Sequence, residues 1–123
     1  MAANKILRFG PVALGAAAAN IINPPTITGG TGLAGTNSAT YVVLRHIRIV
    51  NKTAGAVTCS LYIGATGASA AGTEFAFNAT SIAANSYQDW YGMVRLDTAD
   101  YLTGLASAAT SLTFECEGEI GVV

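Results

Sequence analysis

The segment Tyr41 to Gly64, YVVLRHIRIVNKTAGAVTCSLYIG, consists of two β-branched runs separated by a short polar stretch. Tyr41, Val43, Ile47 and Ile49 fall on one parity of the first run, and Val57, Cys59, Leu61 and Ile63 share one parity of the second. That is the period-two pattern of half-buried strands. Asn51-Lys52-Thr53-Ala54-Gly55 between them predicts a turn, with Gly55 free to adopt positive φ. The whole stretch therefore reads as an antiparallel hairpin.

The rest of the chain repeats this grammar. Lys5 to Phe9 predicts a strand that Gly10-Pro11 interrupts and Val12 to Leu14 resumes. Ala16 to Ala19 is too short for an unsupported helix, and Asn20 to Pro25 ends it, so Ala18 to Ile22 reads as extended. Thr26 to Thr40, TITGGTGLAGTNSAT, reads as a long exposed loop, and Ala65 to Gly72 as a second one. Thr73 to Phe77, Tyr87 to Tyr91 and Met93 to Leu96 follow as short extended segments, with Gly92 allowing a bend. Asp97 to Asp100 is a turn, and Tyr101 to Ser107 a strand with Gly104 as a candidate bulge. In the last strand Leu112, Phe114, Cys116 and Ile120 point one way and Thr113, Glu115, Glu117 and Glu119 the other. About eight strands in this pattern predict an all-β chain, an antiparallel sandwich or barrel.

Composition narrows the function classes. With 123 residues the chain forms one domain, and only 11% of them are charged. The mean hydropathy of +0.45 leaves apolar surface for partner chains to cover. No apolar run reaches the ~20 residues of a membrane-spanning helix, and Arg8, Gly10 and Pro11 break up any secretory signal. A net charge of −1 with scattered Lys and Arg gives no footprint for direct nucleic-acid binding. Cys59 and Cys116 both fall on inward parities, so buried free thiols are expected; a disulfide requires their strands to face each other across the core.

No catalytic, cofactor or metal set emerges. His46, the only histidine, has no sequence partner that would make it a general base. It shares a face with Arg48, and this cationic face would meet Glu115, Glu117 and Glu119 if their strands were neighbours, fixing register or an interface. The three glutamates suggest a calcium site, but same-face side chains on one strand project in parallel and do not close a cage. Gly29 to Gly35, GGTGLAG, lacks the Gly-Lys-Ser/Thr ending and the following helix of a phosphate-binding loop. Tyr87, Trp90 and Tyr91 form a candidate sugar-stacking platform, although a tryptophan on a strand of a small sandwich usually lies in the core.

From Tyr41 to Ile120 the chain resembles small β-sandwich virion proteins of tailed bacteriophages, over about two-thirds of its length. The matching residues are His46 to Asn51, HIRIVN, then Val57 to Gly64, VTCSLYIG. Ile82-Ala83-Ala84-Asn85-Ser86, Asp89-Trp90, Gly92, Leu96, Asp100, Leu102 and Ala106-Ser107 complete the set. Ala99 departs from it, standing where that group has a glycine before the turn aspartate.

The resemblance implies a jelly-roll-like sandwich and a non-enzymatic structural role. The first expectation is a capsid decoration (cement) protein that stabilises the head shell by bridging copies of the major capsid protein. It would self-associate as a homotrimer on the outer surface of the virion, after synthesis in the host cytoplasm. The alternative is a tail, baseplate or fibre component with a receptor- or glycan-binding role.

In this reading residues 1–40 are an N-terminal arm and Gly/Thr-rich loop, and 41–123 the main part of the sandwich. Ile6, Leu7, Phe9, Val12 and Leu14 of the arm are the expected assembly contacts, together with Arg48, Glu115, Glu117 and Glu119. A chain lacking residues 1–14 is then expected to fold and to lose its attachment to the shell.

Overall fold

The computed structural model describes residues 5–22, 30–31, 39–64, 71–97 and 100–122. Alternation of apolar side chains lays these residues out in extended segments, with no helix among them. The strands are β1 (Lys5–Ala13), β2 (Ala19–Ile22), β3 (Gly30–Thr31), β4 (Ala39–Asn51), β5 (Val57–Gly64), β6 (Thr80–Ile82), β7 (Ser86–Asp97), β8 (Tyr101–Ala106) and β9 (Leu112–Val122). Apart from the two-residue β3, they pair as one long hairpin doubled back between β5 and β6. The nested antiparallel pairs are β5 with β6, β4 with β7, β2 with β8, and β1 with β9.

Rolling this hairpin brings β9 beside β4 and β8 beside β5. Two sheets result, with orders β3-β1-β9-β4-β7 and β2-β8-β5-β6. This is the arrangement of a jelly roll, an antiparallel β-sandwich. Its core is filled from both sheets by Phe9, Ile22, Leu44, Ile47, Ile49, Leu61, Leu96, Leu102 and Phe114, each fully buried.

The structure corrects the hairpin expected over Tyr41 to Gly64. β4 and β5 are both strands, but they lie in opposite sheets and face each other across the core. Alternation fixes which side of a strand is buried, not which strand lies beside it. The corner between them is set by Asn51, which is 1% exposed. Its amide donates to the carbonyls of Gly55 (2.9 Å) and Ile82 (3.0 Å) and accepts from the N–H (2.9 Å) and hydroxyl (2.7 Å) of Thr53. All four hydrogen-bonding positions of the side chain are filled. Gly55 is not among the residues with positive φ; Asn85 is, at φ 52°, and its N–H closes the corner on Thr53 O at 3.0 Å.

The inward parity of β4 also differs from the simple alternation. Val42 and Leu44 are buried rather than Tyr41 and Val43, while Ile47 and Ile49 are buried as expected. The cause is a β-bulge at Arg45. Between Leu44 and His46, β4 advances two residues while β9 advances one, from Gly118 to Glu117. One extra residue exchanges the two faces of a strand. Gly118 makes room for the bulge, because a Cβ there would lie 1.9 Å from the carbonyl oxygen of Val43. Gly104 is likewise required by packing rather than by a bulge of its own, since its missing Cβ lets Ile21 and Leu61 close over β8.

The N-terminal arm is a strand of the sandwich. β1 pairs with β9 from Lys5↔Ile120 to Ala13↔Thr113, and Phe9 (0% exposed) and Leu14 (3%) belong to the core. The division at residue 40 therefore does not separate an appendage from a domain. Cys59 and Cys116 are free and buried on opposite sheets. Burial pushes the Cys59 thiol up to about 12 and the Cys116 thiol higher still, so both remain protonated and unreactive at neutral pH.

Two stability predictions follow from this packing. Deleting residues 1–14 should abolish cooperative unfolding instead of releasing a folded domain, as followed by circular dichroism during urea titration. Asn51→Ala strands the buried Ile82 carbonyl and removes the tie between the corner and β6, and should cost about 1 to 3 kcal/mol in the same titration.

Candidate functional site

On β4 the bulge turns both Arg45 and His46 to the outward face of the five-stranded sheet, in line with Arg48. The strands on either side supply the acids. β9 places Glu117 opposite His46 and Glu115 opposite Arg48, and β7 places Asp89 opposite Arg48. The expected meeting of this cationic face with the glutamates occurs, but the partners differ. Arg48 does not take Glu115; its Nε and Nη2 donate to Asp89 Oδ1 and Oδ2 at 2.8 and 3.0 Å. Glu119 accepts from Arg45 Nη2 at 2.7 Å.

His46 lies between two carboxylates. Nε2 is 2.9 Å from Asp89 Oδ1 and Nδ1 is 3.4 Å from Glu117 Oε1. An imidazolium, with both ring nitrogens donating, satisfies both contacts at once. Among the described residues no hydroxyl or thiol hydrogen-bonds to this ring. Nor do three His, Cys, Asp or Glu side chains converge as a metal site among the described residues.

Aromatic rings close the network from β7. Tyr91 stacks on His46 with centroids 4.6 Å apart and planes 14° apart, and the Arg48 guanidinium lies 4.4 Å from the centroid of Tyr87. Trp90 points the other way, toward the core, and meets Phe75 edge-on at 4.9 Å. Tyr87, Trp90 and Tyr91 therefore do not share a face and cannot form one stacking platform. Gly92 allows the indole to lie flat along the strand, since a Cβ there would come within 2.7 Å of it.

The five apolar assembly candidates separate. Ile6 is 82% exposed, Val12 is half-buried, and Phe9 and Leu14 are unavailable to a partner because the core holds them. The side chain of Leu7 lies outside the described residues. Ile6 lines a shallow groove of about 340 Å³ with Arg45, His46, Glu117, Gly118 and Glu119. Arg45 and Asp89 are the residues that sequence reasoning missed. Asp89 alternates with Tyr87 and Tyr91 on β7, which was a readable sign of its face; Arg45 becomes outward only through the bulge. The Gly29 to Gly35 segment lies outside the described residues except for the backbone of Gly30 and Thr31.

No protein-family model matches the chain, and no curated protein compared with it gives a match.

The Arg48 guanidinium, and less strongly His46, hold the Asp89 carboxyl down at about 2 against the opposing effect of burial. A folded-state value below the unfolded one, near ~3.9, means that the contribution is complete above about pH 4. It is lost as the pH falls toward 2. Asp89→Asn should therefore lower the melting temperature by several degrees at pH 7, and the gap to the wild type should close between pH 4 and 2 in a calorimetric series.

Proposed function

We propose that the chain is a structural component of a tailed-bacteriophage virion, a capsid decoration protein on the outer surface of the head that bridges copies of the major capsid protein. The observation that carries this reading is the use to which the resembling residues are put. Asn51 and Asn85 tie the corner between β4 and β5 to the end of β6. Asp89 clamps β7 to β4, and Trp90 over Gly92 seals one end of the core. These residues support a scaffold and assemble no chemistry, which suits a role in which shape and surface are the product. The same spending of polar side chains on internal bonds argues against an enzymatic role.

Attachment is assigned to the outward face of the five-stranded sheet. Ile6 supplies apolar area there, and Arg45, Arg48, Glu115, Glu117 and Glu119 supply charge of both signs. Apolar contact supplies affinity at ~25 cal/mol per Å², and mixed charge supplies register against a specific partner. Repetition over a shell turns modest single contacts into firm attachment.

Purified protein should co-sediment saturably with purified heads that lack it, and not with tails. Ile6→Asp should reduce the bound fraction about tenfold or more with no change in melting temperature, because the side chain is exposed. Sedimentation with tails alone would replace the head reading by the tail or fibre one, and sedimentation with neither would remove both.

A further inference from the structure

A rolled sandwich has four sheet edges, and three of those described here are short. β3 has 2 residues, β2 has 4 and β6 has 3, whereas β7 runs for 12. Long open edges are pairing templates, and proteins ordinarily blunt them with charge, proline, bulges or a covering segment. The β7 sequence SYQDWYGMVRLD contains neither lysine nor proline, and against β4 it carries one extra residue between Tyr91 and Val94. Its Tyr87 (56% exposed), Tyr91 (70%) and Met93 (69%) lie on one outward face beside that edge.

We propose that this edge is a self-association surface, on which β7 of a second copy pairs antiparallel about a two-fold axis through Gly92. The charge pattern of the strand selects both the occupant and the register. With Gly92 opposite Gly92 of the second copy, Asp89 faces the second Arg95, Tyr91 faces the second Met93, and Trp90 faces the second Val94. Each pair joins residues of the same sheet face, as antiparallel pairing requires. Asp89 Oδ2 accepts one hydrogen bond from Arg48 and keeps a lone pair for the incoming Arg95, whose Nε is held by Asp97 Oδ1 of its own chain at 2.8 Å, so the contact falls to its Nη groups. Sulfur–aromatic contact favours the Tyr91–Met93 pair.

The adjacent registers that keep the faces are worse. A shift one way sets Asp89 against Asp97 of the other copy, and a shift the other way sets Asp89 against Met93. The contact is isologous and closes after two subunits. It therefore makes a dimer with a continuous sheet, in place of the trimer that the phage resemblance implies. The inference does not rest on the virion reading.

Two measurements on the full chain test it. At about 100 μM, well above the micromolar limit of specific interfaces, light scattering should give twice the 12.5 kDa chain mass. Directly opposed residues of an antiparallel pair lie within disulfide reach, and diagonal ones do not. A mixture of the Tyr91→Cys and Met93→Cys variants should thus oxidise to a covalent dimer, while neither variant alone does so. Both positions are exposed, and the native thiols are buried and do not compete. A wild-type monomer or trimer overturns the proposal. So does a dimer without this selective cross-link, or one in which single variants link as readily as the mixture. Cross-linking of Tyr91→Cys to a capsid subunit, with the wild type monomeric, would give the edge to a foreign strand and overturn it equally.

Discussion

The sandwich depends on a buried amide. Asn51 sits where β4 leaves one sheet and the chain crosses to β5 in the other, its own side chain buried under an exposed corner. An unpaired buried polar group costs about 1 to 3 kcal/mol, so both the Asn51 amide and the buried Ile82 carbonyl need partners. One side chain with two donors and two acceptor positions satisfies them, reaching Gly55, Thr53 and Ile82. The bond to Ile82 ties the first half of the doubled chain to the second, so the same residue that turns the corner also sets the nesting of β6 against β5. Without that crossing, β4 and β5 would be free to form the flat hairpin that their alternation equally allows.

A second constraint acts through β4, which has a neighbour on each side. The bulge at Arg45 exchanges its faces, and Gly118 on β9 accommodates the displaced backbone. Two outcomes follow from one extra residue. The inward row changes from Val42 and Leu44 to Ile47 and Ile49 without losing core contact. The outward row acquires adjacent Arg45 and His46, and the acids of β7 and β9 engage them from both sides. Surface ion pairs are individually weak, but Asp89, only 15% exposed and bonded to both Arg48 and His46, belongs to a network that holds an edge strand in register.

Much of the fold was legible in the sequence. Strict alternation in β5 and β9 placed Cys59, Leu61, Phe114 and Cys116 inward, and the number of strands pointed to an antiparallel sandwich. What alternation does not encode is pairing. β4 and β5 have the same pattern whether they are neighbours or face each other, and only long-range partners decide. A bulge is similarly silent, because strict alternation from Tyr41 to Ile49 puts Arg45 on the inward parity, and nothing in the sequence marks it as the extra residue. The arm was misread for a related reason. Gly10-Pro11 punctuates a strand without ending it, so Phe9 and Leu14 read as unattached apolar residues rather than as core. Arg48 and the glutamates were recognisable as one outward surface; the face of Asp89 was legible from its parity with Tyr87 and Tyr91, but not its pairing with Arg48, because alternation does not say that β7 lies beside β4.

Placing Phe9 and Leu14 in the core changes the kind of contact that the proposed role would use. A loose apolar arm that docks on a neighbour loses backbone freedom on binding, about 1 to 2 kcal/mol for each residue ordered, and much of its apolar gain offsets that loss. A strand already paired with β9 incurs no such loss at the moment of contact. The surface left for a partner is a rigid sheet face, where Ile6 projects beside Arg45 and Glu119 and the ions are held by their own neighbours. Preorganised side chains convert more of their contact area into affinity. For the attachment role proposed above, a stiff face serves better than a flexible clamp, and the buried Asn51 side chain and the Asp89 clamp are what make this face stiff.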